Sequence, residues 1–164
     1  MYLLFILIIF LSHPTKLSLF SGVVFSILGL LLRAWAAATI NKVKVLSTDG
    51  PYSIVRNPLY LGSFLAGFGV MMSTGSLILL AIFAVGFLFV HFHKMREEEV
   101  ELYNEHKEKF LEYKSRVPAF FPNFLSFKSA PISFDRYMSN NEYRASFTVL
   151  AIYIFLIFKF IFFN

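Results

Sequence analysis

The sequence predicts an all-α fold, a multi-pass transmembrane helical bundle with about five membrane segments. Hydrophobic residues make up 57% of the 164 positions and charged residues only 15%, whereas soluble domains carry about 25% charged residues. The apolar residues also fall into long runs that few polar residues interrupt. A chain of this length and composition is expected to form a single integral membrane domain over residues 1–164, without a separate soluble module.

The five apolar runs cover residues 1–11, 17–40, 58–72, 77–93 and 145–163. As a helix the first run would be about 16 Å long, which is short of a hydrocarbon core of about 30 Å. It lacks the basic start and the small-residue cleavage site of a secretory signal, so we expect a tilted or partial helix there. The second run is long enough to span the membrane. Only residues 73–76 join the third and fourth runs, which predicts a helical hairpin.

This hairpin would place the two polar stretches, residues 41–57 and 94–144, on the same side of the membrane. Both stretches are rich in basic residues, among them Lys42, Lys44, Arg56, Lys94 and Arg96. The positive-inside rule then predicts that this side is cytoplasmic.

Residues 94–116 are expected to continue the fourth segment as one cytoplasmic amphipathic helix. Three- and four-residue spacing puts one set of side chains on a single stripe: Glu99, Leu102, Tyr103, His106, Phe110, Tyr113 and Val117. Such a helix could lie along the headgroups or cap a cavity.

The third segment begins with a typical helix start, because Asn57 is a favoured N-cap residue and Pro58 suits the first helical position. Within it, Gly62 and Ala66 repeat at four-residue spacing, as do Ser63 and Gly67. Small residues at this spacing allow close helix packing in lipid, which is the simplest interpretation of this pattern.

Three charged positions could take part in chemistry. Arg56 directly precedes a helix N-terminus, where the free N–H groups favour an anionic ligand; the alternative is an arginine that only anchors the membrane edge. In the run Glu97–Glu99, one or two carboxylates at most can face inward, and Glu98 and Glu99 are the better placed; the alternative is a solvated charge run. Arg33 lies inside an apolar segment, where a functional role competes with snorkelling or structural pairing.

Other classes of site have little support. The chain has no Cys, which excludes disulfides, thiolate metal sites and thiol nucleophiles. His91 and His93 lie two residues apart and so do not share a helix face, and we predict no metal site. The net charge of +5 comes from basic residues beside apolar runs, which favours lipid headgroups over nucleic acid as the partner. No obligate protein partner is evident.

Two motifs in order carry a resemblance to a known family. The run GPYSIVRNPLYLG at residues 50–62, and Glu98-Glu99-x-x-Leu102 followed by Phe110, Tyr113, Val117 and Pro118, resemble signatures of the isoprenylcysteine carboxyl methyltransferase and phospholipid methyltransferase superfamily. The run LLRAWAA, with Arg33 and Trp35, is similar to the preceding helix of that family. The resemblance covers residues 25–122, and the membrane helix at 145–163 is additional. Asn57 replaces the family's usual His, and His106-Lys107 replaces its usual Phe-Gly.

The resemblance implies an S-adenosylmethionine pocket between these two motifs. The implied cofactor contacts are Leu46, Gly50, Tyr52, Arg56, Asn57, Pro58, Tyr60, Leu61, Glu98 and Glu99. The implied catalytic residues are Arg96, Glu98, Glu99 and Arg33.

The expected function is methyl transfer to a lipid-like or prenylated acceptor at the cytoplasmic membrane face, with membrane lipids as the other partners. We favour carboxyl O-methylation, because Arg96 or Arg33 could clamp a carboxylate and Asn57 cannot act as a base. One alternative is N-methylation of a phospholipid ethanolamine, and another is a non-enzymatic lipid-binding or assembly protein.

Overall fold

A computed structural model describes residues 10–40 and 45–163. Most of the first predicted membrane segment, residues 1–9, therefore lies outside the described residues. Within the described residues the chain forms α1 (Lys16–Thr39), α2 (Pro58–Ser73), α3 (Leu77–His106), α4 (Glu108–Arg116), α5 (Phe134–Ser139) and α6 (Tyr143–Phe163), with short 3-10 turns at Pro51–Ser53 and Phe124–Ser126.

The described residues contain no β-strand, only an isolated bridge between Gly50 and Lys128, so the all-helical prediction is confirmed for this part of the chain. Three of its helices, α1, α3 and α6, are long and apolar enough to cross a membrane, with 24, 30 and 21 residues. The predicted third segment is the shorter apolar helix α2, about 24 Å long. Three spans are thus supported, and the total of about five stays a prediction.

The closest helix contact joins α1 to α2 and depends on glycines from both helices. A Cβ atom added at Gly29 would overlap the backbone of Gly62 and Ala66, and one added at Gly22 would overlap Gly69 and Ser73. The small-residue pattern in α2 therefore does bring two backbones together, as its spacing predicts. Gly67 faces α3 instead, against the ring of Phe83.

A buried polar cluster attaches α6 to this pair of helices. The Tyr153 hydroxyl lies 2.9 Å from Ser26 Oγ of α1 and accepts a hydrogen bond from Ser73 Oγ of α2 at 2.8 Å. Around it, Val70, Met71, Leu79 and Leu156 form an apolar core. Because lipid offers these hydroxyls no partner, the cluster selects one way of docking α6.

The predicted single helix over residues 94–116 is wrong in one respect, since it breaks at Lys107. That residue has a φ of 47° and separates α3 from α4. Positive φ favours glycine, and this is the position where the family resemblance expects Gly. The break turns α4 so that Phe110, Tyr113 and Val117 pack beside Leu102.

Arg33 forms a half-buried ion pair, which is the structural pairing that the sequence allows for this residue. Its guanidinium forms an ion pair with Glu142 just before α6, at 2.8 Å, and donates to Leu59 O and Ser63 Oγ of α2. The side chains of Arg33 and Glu142 are only 22% and 10% exposed. The pair therefore joins α1, α2 and the start of α6 at one end of the bundle.

We expect Gly29→Ala to destabilise the protein by about 1–3 kcal/mol, because the new methyl group would force α1 and α2 apart. Denaturation of the purified protein in micelles, followed by circular dichroism, measures the effect. The matched control is Gly86→Ala in α3, where an added Cβ meets nothing within 4 Å. Equal stability of the two variants would show that the glycine contact is not limiting.

We expect Glu142→Gln to lower stability by about 3 kcal/mol, because it leaves the Arg33 charge buried without its partner. The same denaturation assay applies. Glu112→Gln is the control, since the Glu112–Arg116 pair on α4 is 70% and 59% exposed and should contribute little. A Glu142 variant as stable as the Glu112 variant would contradict the structural role of this ion pair.

Candidate functional site

A cavity of about 460 Å³ lies where the chain after α1, the start of α2 and the end of α3 meet. Its volume is in the range of small-molecule sites. The lining residues are Ile40, Val45, Leu46, Ser47, Tyr52, Arg56, Asn57, Pro58, Leu59, Tyr60, Glu98, Glu101, Leu102, Glu105 and Tyr113. Of the ten predicted cofactor contacts, the cavity brings together Leu46, Tyr52, Arg56, Asn57, Pro58, Tyr60 and Glu98.

The loop of residues 50–57 forms one wall, and hydrogen bonds fix its shape. Gly50 has a φ of 62° and opens the 3-10 turn Pro51–Ser53. Ser53 Oγ donates to Gly50 O at 2.7 Å and accepts from the backbone N–H of Lys128 at 2.9 Å. Positive φ explains the glycine at position 50, which shapes the loop without itself lining the cavity.

This loop holds Tyr52 in the wall, where the side chain is almost fully buried. Burial, followed by the neighbouring Tyr113 and the carboxylates of Glu142 and Glu98, raises the pKa of Tyr52 above its ordinary value. Tyr52 therefore keeps its proton at neutral pH and can act only as a neutral hydroxyl. Burial likewise raises the pKa of Tyr113, whose hydroxyl donates to Tyr52 O at 2.7 Å.

Contacts with α3 and α4 hold the Arg56 guanidinium in place. Its Nη2 forms an ion pair with Glu99 Oε1 at 2.8 Å, and its Nη1 donates to Lys114 O at 3.0 Å. Glu99 also pairs with Lys114 Nζ at 2.9 Å. The Arg56 side chain is only 11% exposed, and Glu99, which Lys114 shares, offsets part of its charge while holding it in position.

The two adjacent carboxylates consequently have different surroundings. Glu98 lines the cavity and accepts a hydrogen bond from the Tyr60 hydroxyl at 2.6 Å. Glu99 lies beside it on the α4 side and is not among the lining residues. Glu97 is 63% exposed and pairs with His93. Of the acidic run, Glu98 is therefore the residue placed to touch a ligand.

Asn57 occupies the N-cap position of α2, but its side chain makes no capping hydrogen bond. Its Nδ2 donates instead to Ala119 O at 3.0 Å. Pro58 is the first helical residue, as predicted. The asparagine thus ties the cavity wall to the segment after α4, which an amide donor can do.

Three other predicted site residues lie away from the cavity lining. Leu61 packs in an apolar cluster with Ile54 and Val55. Arg33 is engaged by Glu142. Arg96 lies over the Phe92 ring at 4.6 Å and lines a separate, mainly apolar groove on α3.

The cavity also contains residues that the motifs did not indicate, notably Glu101 and Glu105. With Glu98 and Leu102 they recur at three- and four-residue spacing, so they share one face of α3. That spacing was present in the sequence. However, Glu101 and Glu105 lie off the apolar stripe of residues 94–116, so the sequence alone suggests that they face solvent.

The wall contains two polar atoms whose hydrogen bonding is incomplete. Tyr52 Oη and Arg56 Nε are buried and have no hydrogen-bond partner among the described residues. Buried polar groups almost always have a partner. Both atoms belong to residues that line the cavity.

The chain is similar in sequence to several known proteins. Residues 17–106 match the profile of the phospholipid methyltransferase family. The chain is 32% identical over 127 residues to a nickel-cobalt-cadmium resistance protein of Alcaligenes xylosoxydans xylosoxydans, covering 73% of this chain and 59% of that protein. It is 39% identical over 92 residues to a cobalt-zinc-cadmium resistance protein of Cupriavidus metallidurans, covering 55% and 42%.

A third relative is the protein-S-isoprenylcysteine O-methyltransferase of Schizosaccharomyces pombe, 29% identical over 86 residues, with coverage of 52% of this chain and 36% of that one. No solved structure matches the chain. The chain spans only about half the length of the two bacterial relatives. The family profile, in contrast, covers more than half of this chain and includes α1, α2, α3 and the wall that carries Tyr52 and Arg56. The chain belongs to the phospholipid methyltransferase family.

Proposed function

We propose that the protein transfers a methyl group from S-adenosylmethionine to a lipid-like or prenylated acceptor at the cytoplasmic face of the membrane. The observation that carries this proposal is the cavity of about 460 Å³, which combines the two family motifs at one end of the apolar helices. Its polar residues suit a cofactor that has a carboxylate, an ammonium, a ribose and an adenine. The metal-resistance names of the bacterial relatives specify no reaction.

Glu98 is the residue we assign to the cofactor's ammonium or ribose hydroxyls. A carboxylate accepts strong hydrogen bonds from either group, and the Tyr60 hydroxyl already orients it from one side. Arg56 and Tyr52 line the same wall, and we assign their N–H and O–H groups to the cofactor's carboxylate.

S-adenosylmethionine, when bound, supplies an electrophilic methyl group on a sulfonium. The protein's contribution is then to orient the two partners and exclude water, because in-line displacement depends on alignment. The apolar residues Ile40, Val45, Leu46 and Leu102 line the cavity for this purpose. Glu99 acts as a positioning residue through Arg56.

The nature of the acceptor depends on the charge of the lining. The preference for a carboxylate acceptor relied on Arg33 or Arg96 as a clamp, but neither lines the cavity. The charged lining residues among those described are Arg56, Glu98, Glu101 and Glu105, and Glu99 offsets part of the charge of Arg56. The excess of carboxylates among these described residues favours the binding of a cationic amine, and a carboxylate is available to take the proton that the amine must lose.

Two acceptors therefore remain, each with its own support. Phospholipid N-methylation is favoured by the acidic lining. Carboxyl O-methylation is favoured by the similarity to the fission yeast O-methyltransferase, at 29% identity. We place N-methylation first because it follows from residues of this chain.

We expect the purified protein to bind S-adenosylhomocysteine, and Glu98→Gln to weaken binding at least about tenfold through loss of a charge-assisted hydrogen bond. Isothermal titration calorimetry in micelles measures both affinities. Glu97→Gln is the matched control: it removes the same charge one residue away, from a side chain that is 63% exposed. It should bind like the wild type.

The possible failures of this experiment have different meanings. No binding by the wild-type protein would contradict the methyltransferase proposal and support a lipid-binding or assembly role. Equal affinities of the Glu98 and Glu97 variants, with the wild type binding, would contradict only the assignment of Glu98.

The pH dependence of methyl transfer distinguishes the acceptors. A lipid amine is mostly protonated at neutral pH, so kcat/KM should rise about tenfold per pH unit between pH 6 and 8. A carboxylate is already ionised over that range, so its methylation should change little with pH. Transfer of labelled methyl from S-adenosylmethionine into phosphatidylethanolamine and into a farnesylcysteine analogue gives the two profiles. Faster labelling of the farnesylcysteine analogue, with a flat profile, would overturn our order of acceptors.

A further inference from the structure

Residues 118–134, which lead from the end of α4 to the first residue of α5 and are called the connecting segment, expose many large apolar side chains. Six of its large side chains are strongly exposed: Phe121 (82%), Phe124 (73%), Leu125 (98%), Phe127 (55%), Ile132 (72%) and Phe134 (71%). Lys128 is its only charged residue. A contiguous apolar surface of this kind marks an interaction site.

Two contacts give the depth of this connecting segment relative to the membrane helices. The Phe127 ring lies 6.1 Å from Trp35 of α1, and the Phe120 ring lies 5.7 Å from Phe64 of α2. Trp35 and Phe64 lie about 6 to 9 Å from the cavity-side ends of their helices, judged by helical rise. The segment therefore lies at the level where the apolar helices end, beside their own lipid-facing surfaces.

Backbone hydrogen bonds hold the segment in this position. Pro118 O accepts from the Arg56 N–H at 2.9 Å, Asn123 N donates to Ile54 O at 2.8 Å, and Lys128 O accepts from the Gly50 N–H at 2.8 Å. These bonds attach the backbone of the connecting segment to the loop of residues 50–57. The exposed apolar side chains of the segment cannot become buried against the protein unless these bonds break.

We propose that the connecting segment is inserted into the headgroup–acyl boundary of the bilayer, with its six exposed apolar side chains in contact with lipid. An amphipathic element at this depth buries its apolar side about 5–10 Å below the headgroups. Lys128 lies among these residues and can reach anionic headgroups. Because the segment is bonded to the loop of residues 50–57, it also fixes the cavity wall at the membrane surface.

The occupant is lipid and not a protein partner, because Phe127 and Phe120 of the segment contact Trp35 and Phe64 near the ends of two apolar helices. The membrane helices themselves expose large apolar side chains, such as Val85 and Phe89 of α3 at 70% and 83%, as expected for residues that face lipid. A protein partner at the same place would have to displace lipid from both surfaces.

Cysteine accessibility tests the proposal, and the absence of native Cys makes each variant singly reactive. Leu125→Cys is placed in the segment, Glu108→Cys on the exposed start of α4, and Phe89→Cys on the lipid-facing side of α3. The full chain is reconstituted in nanodiscs of phosphatidylcholine with some phosphatidylglycerol. It is then treated with a charged, water-soluble thiol reagent, which requires an ionised, hydrated thiol.

We expect the Leu125 variant to react at least about tenfold more slowly than the Glu108 variant, and closer to the Phe89 variant. Reaction as fast as in the Glu108 variant would overturn the proposal.

A second measurement separates lipid from protein as the cause of slow reaction. A fluorophore attached to the Leu125 variant should be quenched by phosphatidylcholine that carries a quencher near the headgroup, while one on the Glu108 variant should not. Slow reaction without quenching would mean that protein covers the segment, which also overturns the proposal. Neither measurement requires cofactor binding, so the outcome is independent of the proposed methyltransferase activity.

Discussion

The close contact between α1 and α2 is the constraint on which the other features depend. Gly22 and Gly29 on one helix meet Gly69, Gly62 and Ala66 on the other, with no space for an additional carbon atom. In lipid, such contacts replace the hydrophobic effect as the source of association. They bring Arg33 within reach of α2 and position Ser26 and Ser73 around Tyr153. They also fix the distance between the end of α1 and the start of α2, which the cavity loop has to connect.

The contact between α1 and α2 also determines which charges pair at the cavity end of the bundle. Arg33 and Arg56 both lie at this end, and each pairs with a carboxylate that is distant in sequence. Arg33 pairs with Glu142 and stabilises the fold, whereas Arg56 pairs with Glu99 and forms part of the cavity wall. Of the adjacent Glu98 and Glu99, Glu98 is the one that lines the cavity. The chemistry of the site is thus set by which charges are already satisfied within the protein.

The position of the cavity suits a reaction between a water-soluble donor and a membrane-bound acceptor. Its polar wall is built from the loop of residues 50–57 and the part of α3 beyond its apolar portion. The connecting segment holds that loop through backbone hydrogen bonds. A lipid acceptor could therefore present its head to the cavity while its chains stay among the helices, so that no part of the acceptor has to leave the bilayer.

The sequence by itself determined the helical class, the approximate limits of four apolar helices and the family. Each of these depends on local composition or on motifs at fixed spacing, such as the Asn57-Pro58 start of α2 and the Glu98-Glu99 pair. It could not determine which of Glu98 and Glu99 faces the cavity, because both are compatible with the helical stripe and the choice depends on Arg56 and Lys114 approaching from other elements. It also gave no indication of the partner of Arg33, because Glu142 lies 109 residues later in the chain. Whether a charged side chain pairs within the protein or stays available for a ligand depends on which side chains lie next to it in space. Only the tertiary structure specifies those neighbours.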